Sequence, residues 1–351
     1  MTVVRSLALA VAVLFVLGPR AARAQQAYAG VFRGGTDGHY LWVGATWPSF
    51  VAKWQQLSNQ GLRLIDFETD VVAGARRFTG VWRAGNDAHY LWVGVTWPSF
   101  VQKWSELSRA GLRLIDLETY VDGGVRRYAG VWRSGTDGHY LWVGVDWQGF
   151  VAKWQELSGQ GLRLIDFEAY QDGPALKFAG VFRAGSDGHY LWIANWTSFV
   201  QKWNELSAAG LRLIDFETFV TGGQRLYAGV FRAGSDAHGL WVSADWENFV
   251  ARWHSWSNAG LRLDDIERYP GCSGICANQV VAPDPYNYMV TGEGWYRWPV
   301  DSDTSGDFVR LSAVHFSVSP FLTLPYADSE VNRYGTWRYG DGGWHHAIDY
   351  G

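Results

Sequence analysis

The stretch YAGVFRGGTDGHYLWV, residues 28–43, decides the fold, because close copies of it begin at Phe78, Tyr128, Phe178 and Tyr227. The steps are 50, 50, 50 and 49 residues, so five copies of one unit fill residues 28 to about 270. YAGVFR is a short aromatic and β-branched run, GGTDG is a turn, and HYLWVG is a second run; the two runs are expected to pair as a hairpin. Next, Trp47, Phe50, Val51, Trp54 and Leu57 follow the i, i+3, i+4, i+7 spacing of one helical face. Immediately before the five helices stand Thr46, Thr96, Asp146, Asn195 and Asp245, side chains able to accept from a free first-turn N–H. Just after them come Gly61, Gly111, Gly161, Gly210 and Gly260, which tolerate the left-handed conformation that ends a helix. LRLIDFET then reads as a third strand.

A unit of this size cannot bury a one-sided sheet and an amphipathic helix alone, so the copies must pack on one another. Five strand-strand-helix-strand units resemble the five-bladed α/β propeller of the pentein superfamily. That resemblance implies an α/β repeat protein closed into a ring, with an open array as the alternative. Neither end copy is clearly more polar than the middle three, as exposed caps would be, which favours closure. The repeat also resembles the bacterial tandem repeat domain at the front of secreted polyglycine hydrolases, through GVWRAGNDAHYLWVG (80–94), the helix tryptophan pair and GLRLIDLETY (111–120). Those hydrolases carry a serine β-lactamase-like domain behind the repeats. Its S-x-x-K motif is missing here: Phe or Pro stands three residues before Lys53, Lys103, Lys153, Lys177 and Lys202.

Residues 1–24 have a different character. Arg5 supplies a positive start, Leu7 to Leu17 an apolar run, and Ala22-Arg23-Ala24 a cleavage pattern, so this segment reads as a secretory signal peptide. The apolar run is shorter than the ~20 residues that span a bilayer, and no membrane span is expected elsewhere. The expected location is secreted or periplasmic. The whole chain has 30 basic and 34 acidic residues; losing Arg5, Arg20 and Arg23 takes the net charge from −4 to −7, which argues against a nucleic-acid partner. Cys272 and Cys276 are the only cysteines and sit in a Gly-rich turn within the linker 271–294. An oxidising compartment favours a disulfide between them, with a two-cysteine metal site as the alternative.

Each repeat carries one histidine after its turn: His39, His89, His139, His189 and His238. Each also carries an acidic pair on its third strand: Asp66/Glu68, Asp116/Glu118, Asp166/Glu168, Asp215/Glu217 and Asp265/Glu267. Strand alternation puts both members of a pair on one face. In a ring these form a fivefold set able to contact cations or sugar hydroxyls. The plainer alternative is that the histidines and Arg63-type residues satisfy the carboxylates as framework hydrogen bonds. Of 22 tryptophans, 18 lie in the repeats, which suits either carbohydrate stacking or core packing.

From Trp295 the sequence changes. Trp298-Pro299-Val300, Ser319-Pro320-Phe321 and His345-x-x-x-Asp349 follow in order, with Ile348 and Tyr350 beside the last motif. The set resembles the start of the lysostaphin-like zinc endopeptidases that cut peptide cross-links in bacterial cell walls, although Leu322 and Ala347 stand where that family has glycine. The resemblance implies that residues 295–351 are the N-terminal part of an all-β peptidase and that His345 and Asp349 are zinc ligands, with His346 the alternative to His345. In that family the third ligand and a catalytic histidine come from later segments, H-x-H among them. The expectation is therefore an incomplete zinc site, no catalytic residue within these 351 residues, and a longer parent protein. The function expected is that of a secreted peptidoglycan zinc endopeptidase, with a repeat domain that recognises cell-wall peptide or glycan. A non-catalytic binding or scaffold protein is the competing class.

Overall fold

The computed structural model describes residues 26–270, apart from the side chains of residues 243 and 244, and the backbone of seven short strands between residues 279 and 348. The signal-peptide segment, Cys272, Cys276 and Asp349 lie outside the described residues.

Strand β1 (Gln26–Gly34) opens the chain. Four groups of strand, helix, strand, strand follow. The first is β2 (His39–Ala45), α1 (Trp47–Asn59), β3 (Leu62–Val72) and β4 (Ala75–Ala84). The second is β5 (His89–Val95), α2 (Trp97–Arg109), β6 (Leu112–Asp122) and β7 (Val125–Ser134). The third is β8 (His139–Val145), α3 (Trp147–Gly159), β9 (Leu162–Asp172) and β10 (Ala175–Ala184). The fourth is β11 (His189–Ala194), α4 (Trp196–Ala208), β12 (Leu211–Thr221) and β13 (Gln224–Ala233). The fifth group has only β14 (His238–Ala244), α5 (Trp246–Asn258) and β15 (Leu261–Pro270).

The expected hairpin is corrected by the pairing. The YAGVFR-type strand does not pair with the HYLWVG-type strand that follows it. It lies instead in the middle of the preceding copy's sheet, giving the antiparallel orders β2-β4-β3, β5-β7-β6, β8-β10-β9 and β11-β13-β12. The hairpin in each sheet is β3–β4 and its equivalents, closed through left-handed residues such as Ala73 (φ 53°) and Gly74 (φ 81°), or Gly123 and Gly124 (φ 56° and 78°). Such turns match the twist of the strands they join. The GGTDG segment is a crossing from one sheet to the next. The fifth sheet lacks a following copy, and β1 takes the vacant place between β14 and β15. Strand Gln279–Val281 adds to its edge, against β14.

The helices form as their spacing predicts. Phe50, Phe100, Phe150, Phe199 and Phe249 are fully buried, each worth roughly 1.5–3 kcal/mol relative to exposure. Asp146, Asn195 and Asp245 cap their helices, accepting from Gly149, Ser198 and Asn248 N–H, whereas Thr46 and Thr96 make no such bond. The five glycines after the helices take φ between 77° and 84°. The opposite face of each sheet packs on the next sheet, so one cluster joins Phe50, Phe67 and Trp82 to Val131, Leu91 and Ile115. A cluster of the same kind joins Phe249 and Leu263 of the fifth group to Val81, Leu41 and Ile65 of the first. Strand β3 lies beside β6, β6 beside β9, β9 beside β12, β12 beside β15, and β15 beside β3. Among the described residues no helix is long and apolar enough to cross a membrane.

Candidate functional site

The innermost strands bring the five acidic pairs together. Eight of the ten carboxyl groups are buried, and Glu68 and Glu217 are half-buried. Four of the five aspartates are tied to the backbone of the neighbouring strand: Asp166 accepts from Leu117 N–H at 3.2 Å and Asp66 from Ile266 N–H at 3.3 Å. Asp116 and Asp265 accept in the same way from Phe67 and Phe216. One oxygen each of Asp116, Asp215 and Asp265 is buried without a partner. The five glutamates line an opening of about 300 Å³, together with Arg225, Arg268 and Tyr269. Burial, and after it the neighbouring negative charge, pushes Asp66, Asp116, Asp215 and Glu68 well above the usual carboxylate range. Burial brings Glu267 up to about 7. Glu118 hydrogen-bonds to Glu68, and Glu217 to Glu267. Each such pair requires one protonated member, because two carboxylates have only acceptors to offer.

Imidazoles and inner carboxyl groups do not form one set. His39, His89, His139, His189 and His238 each lie against a helix tryptophan of the preceding group, with ring centroids 4.8–5.2 Å apart. The contact of His39 is with Trp253 of the last helix. Burial lowers all five basicities, with help from two arginines such as Arg63 and Arg133, and takes His89 and His238 down to about 4. They are neutral packing groups at physiological pH. Nor do the Arg63-type residues neutralise the inner carboxyl groups, as the framework alternative supposed. Arg63 donates to the carbonyls of Ser58, Leu62 and Asp87, tying a helix end to the next crossing; Arg262 does the same to Asp37.

The charged residues that do pair were not singled out in the sequence. They are the aspartates of the crossing segments, which take bidentate bonds from the arginine ending the next YAGVFR-type strand. Arg83 binds Asp37, Arg133 binds Asp87, Arg183 binds Asp137, Arg232 binds Asp187 and Arg33 binds Asp236, all at 2.5–2.8 Å. The signal was present: an aspartate and an arginine at a constant offset of about one repeat.

The tryptophans divide. Trp82, Trp132 and Trp203 are core, whereas Trp47, Trp147 and Trp246 at the helix starts are 37–40% exposed. In the tail, His345 and His346 lie on strand Gly343–Ile348, opposite Arg338 and Trp337. Asp349 is outside the described residues, so the expected His345–Asp349 ligand pair lies partly outside them. Among the described residues no three His, Cys, Asp or Glu side chains are placed to hold a metal ion.

Residues 26–270 define a tandem-repeat architecture of antiparallel sheets, each backed by one helix. A family model described as a polyglycine hydrolase-like structural repeat matches residues 40–84, 88–134, 140–184 and 193–233, together just over half of the chain. The protein belongs to that family. The matches coincide with the first four sheets as folded, and the fifth sheet, completed from the other end of the chain, lies beyond them. No curated protein matches the chain.

Proposed function

We propose that the chain is part of an exported cell-wall hydrolase, in which the repeats close into a five-bladed α/β propeller that recognises wall peptide or glycan ahead of a zinc-peptidase region. Support for closure comes from β1, which seats between β14 and β15, and from the Arg33–Asp236 pair that repeats the four internal ones. The observation that carries the recognition reading is the axial opening, reached by one glutamate from each of the five units. Its carboxyl groups offer acceptors to the amino and hydroxyl groups of wall polymers. Support for the peptidase region is the ordered motif set from Trp298 to Asp349, in which His345 and Asp349 supply two zinc ligands.

The test is co-sedimentation of the full chain with purified insoluble peptidoglycan. Retention in the pellet, reduced in a Glu118→Gln/Glu168→Gln variant, is expected. A chain that stays in the supernatant defeats the recognition reading. The peptidase reading fails if a form active on wall peptides keeps its activity after both His345→Ala and Asp349→Ala. A non-catalytic scaffold remains the second reading, favoured by the packing of the histidines on helix tryptophans and the pairing of the crossing aspartates with arginines.

A further inference from the structure

The junction between the last sheet and the first differs from the other four. At those four an aromatic ring fills the same place: Tyr120, Tyr170, Phe219 and Tyr269 pack into the core of the preceding unit. Arginines lie over three of the rings, Arg76 over Tyr120 at 3.9 Å, Arg126 over Tyr170 at 4.2 Å and Arg225 over Tyr269 at 4.4 Å. At the fifth junction the ring is replaced by Asp70, the arginine by Gln26, and the acid found as Asp122 and Asp172 by Val72.

What results is an opening of about 240 Å³, lined by Tyr28, Gly44, Val72, Arg77, Trp246 and Arg268 among others. The missing ring is the reason for the space. A Cβ at Gly94 or Gly144 would meet the hydroxyl of Tyr120 or Tyr170 at 3.6 and 3.7 Å, whereas one at Gly44 would meet nothing within 4 Å. Trp246 keeps 38% of its surface exposed and lies 5.1 Å from the Tyr28 ring. Arg268 is ion-paired to Asp70 through Nη1, and its Nε is buried without a partner. The half-buried Arg77 guanidinium has neither a hydrogen-bond nor an ion-pair partner among the described residues.

We propose that this opening is a binding site for a carboxylate carried on a small body: the carboxylate sits on Arg77 and Arg268 Nε, and the body lies against Trp246 and Tyr28. Asp70 cancels the charge of Arg268, so Arg77 is the uncompensated cation, and a planar guanidinium matches a carboxylate through paired N–H bonds. The exposed Trp246 ring, beside the largely buried Tyr28 over which Arg268 lies at 5.5 Å, suits an aliphatic or sugar body. A volume below the ~300–1,000 Å³ of pockets for larger ligands limits the occupant to one residue or one sugar. The same chemistry is offered by a peptide C-terminus and by an acidic monosaccharide. The site shares Arg268 with the glutamate-lined opening but is otherwise lined by different residues, and it does not depend on the function proposed for that opening.

Calorimetric titration of the full chain with N-acetylalanine, with its neutral amide and with glucuronate tests the proposal. At least one acid is expected to bind and the amide is not. N-acetylalanine alone assigns a peptide end, glucuronate alone an acidic sugar, and both a shared carboxylate site; each supports the proposal. Arg77→Gln is expected to weaken acid binding at least tenfold, and Val72→Asp, which puts a carboxylate into the opening, to do the same. Both change rim side chains that the core does not need, and unaltered circular dichroism establishes that they fold. Failure of both acids to bind, equal binding of the amide, or unchanged affinity in either folded variant overturns the assignment.

Discussion

Arg33, on the first strand, holds Asp236, in the last crossing segment, through bonds of 2.8 and 2.6 Å, although 203 residues separate them. Four other arginine–aspartate pairs have the same geometry at separations of 45 or 46 residues. Arg33→Ala should therefore cost as much as Arg133→Ala, about 1–2 kcal/mol each for a partly exposed charge-assisted pair. Urea midpoints of the two variants provide the comparison. A neutral Arg33→Ala beside a costly Arg133→Ala would mean that the first strand is not seated in the last sheet.

Stability should depend on pH in a way that separates the inner from the outer carboxyl groups. Glu267, pushed up by burial to about 7, binds its proton more tightly folded than unfolded. Its contribution is complete below the unfolded value near 4.3 and declines as pH rises through about 7, by on the order of 1.4 kcal/mol per pH unit. Asp236 behaves in reverse: Arg33 holds it down at about 2, so its contribution is present above pH 4 and is lost as pH falls through 2. Unfolding free energies of the wild type should fall between pH 5 and 7, and Glu267→Gln should flatten that slope. An unchanged slope in the variant refutes the assignment.

Gly80 is where the middle strand passes under helix α1. A Cβ there would come within 2.7 Å of Leu64 Cδ1, 2.8 Å of Trp82 and 2.9 Å of Phe50. Gly80→Ala should destabilise by about 1–3 kcal/mol through overpacking. Thermal melting with an intact far-ultraviolet spectrum is the measure, and a neutral result would place the helix farther from the sheet.

The helix starts give a contrast inside one molecule. Asp146 accepts from Gly149 N–H at 2.8 Å, whereas Thr46 makes no side-chain cap bond. Asp146→Ala should cost about 1 kcal/mol and Thr46→Ala a few tenths. Equal losses in denaturant titrations would contradict this difference.

The sequence by itself determined the repeat count, the helices and their ends, because these depend on contacts within a few residues. Phe50 and Leu57 had to share a face, and Gly61 had to follow the last turn. Partner choice between strands was beyond its reach. GGTDG reads as a reversal although it crosses between sheets, and alternation along HYLWVG says nothing about which strand lies beside it. Only the tertiary structure decided that β4 enters the sheet of β2 and β3, and that β1 completes the sheet of β14 and β15. The same holds for charge. The acidic pairs were visible, but that the Arg63-type residues are engaged elsewhere, and that Glu118 hydrogen-bonds to Glu68 and Glu217 to Glu267, follows from where the inner strands converge. At the last junction, Asp70, Val72 and Gln26 were legible as departures from the repeat. That the three fall at one place, and open a space beside Arg77, is a consequence of packing the first unit against the fifth, some 200 residues away.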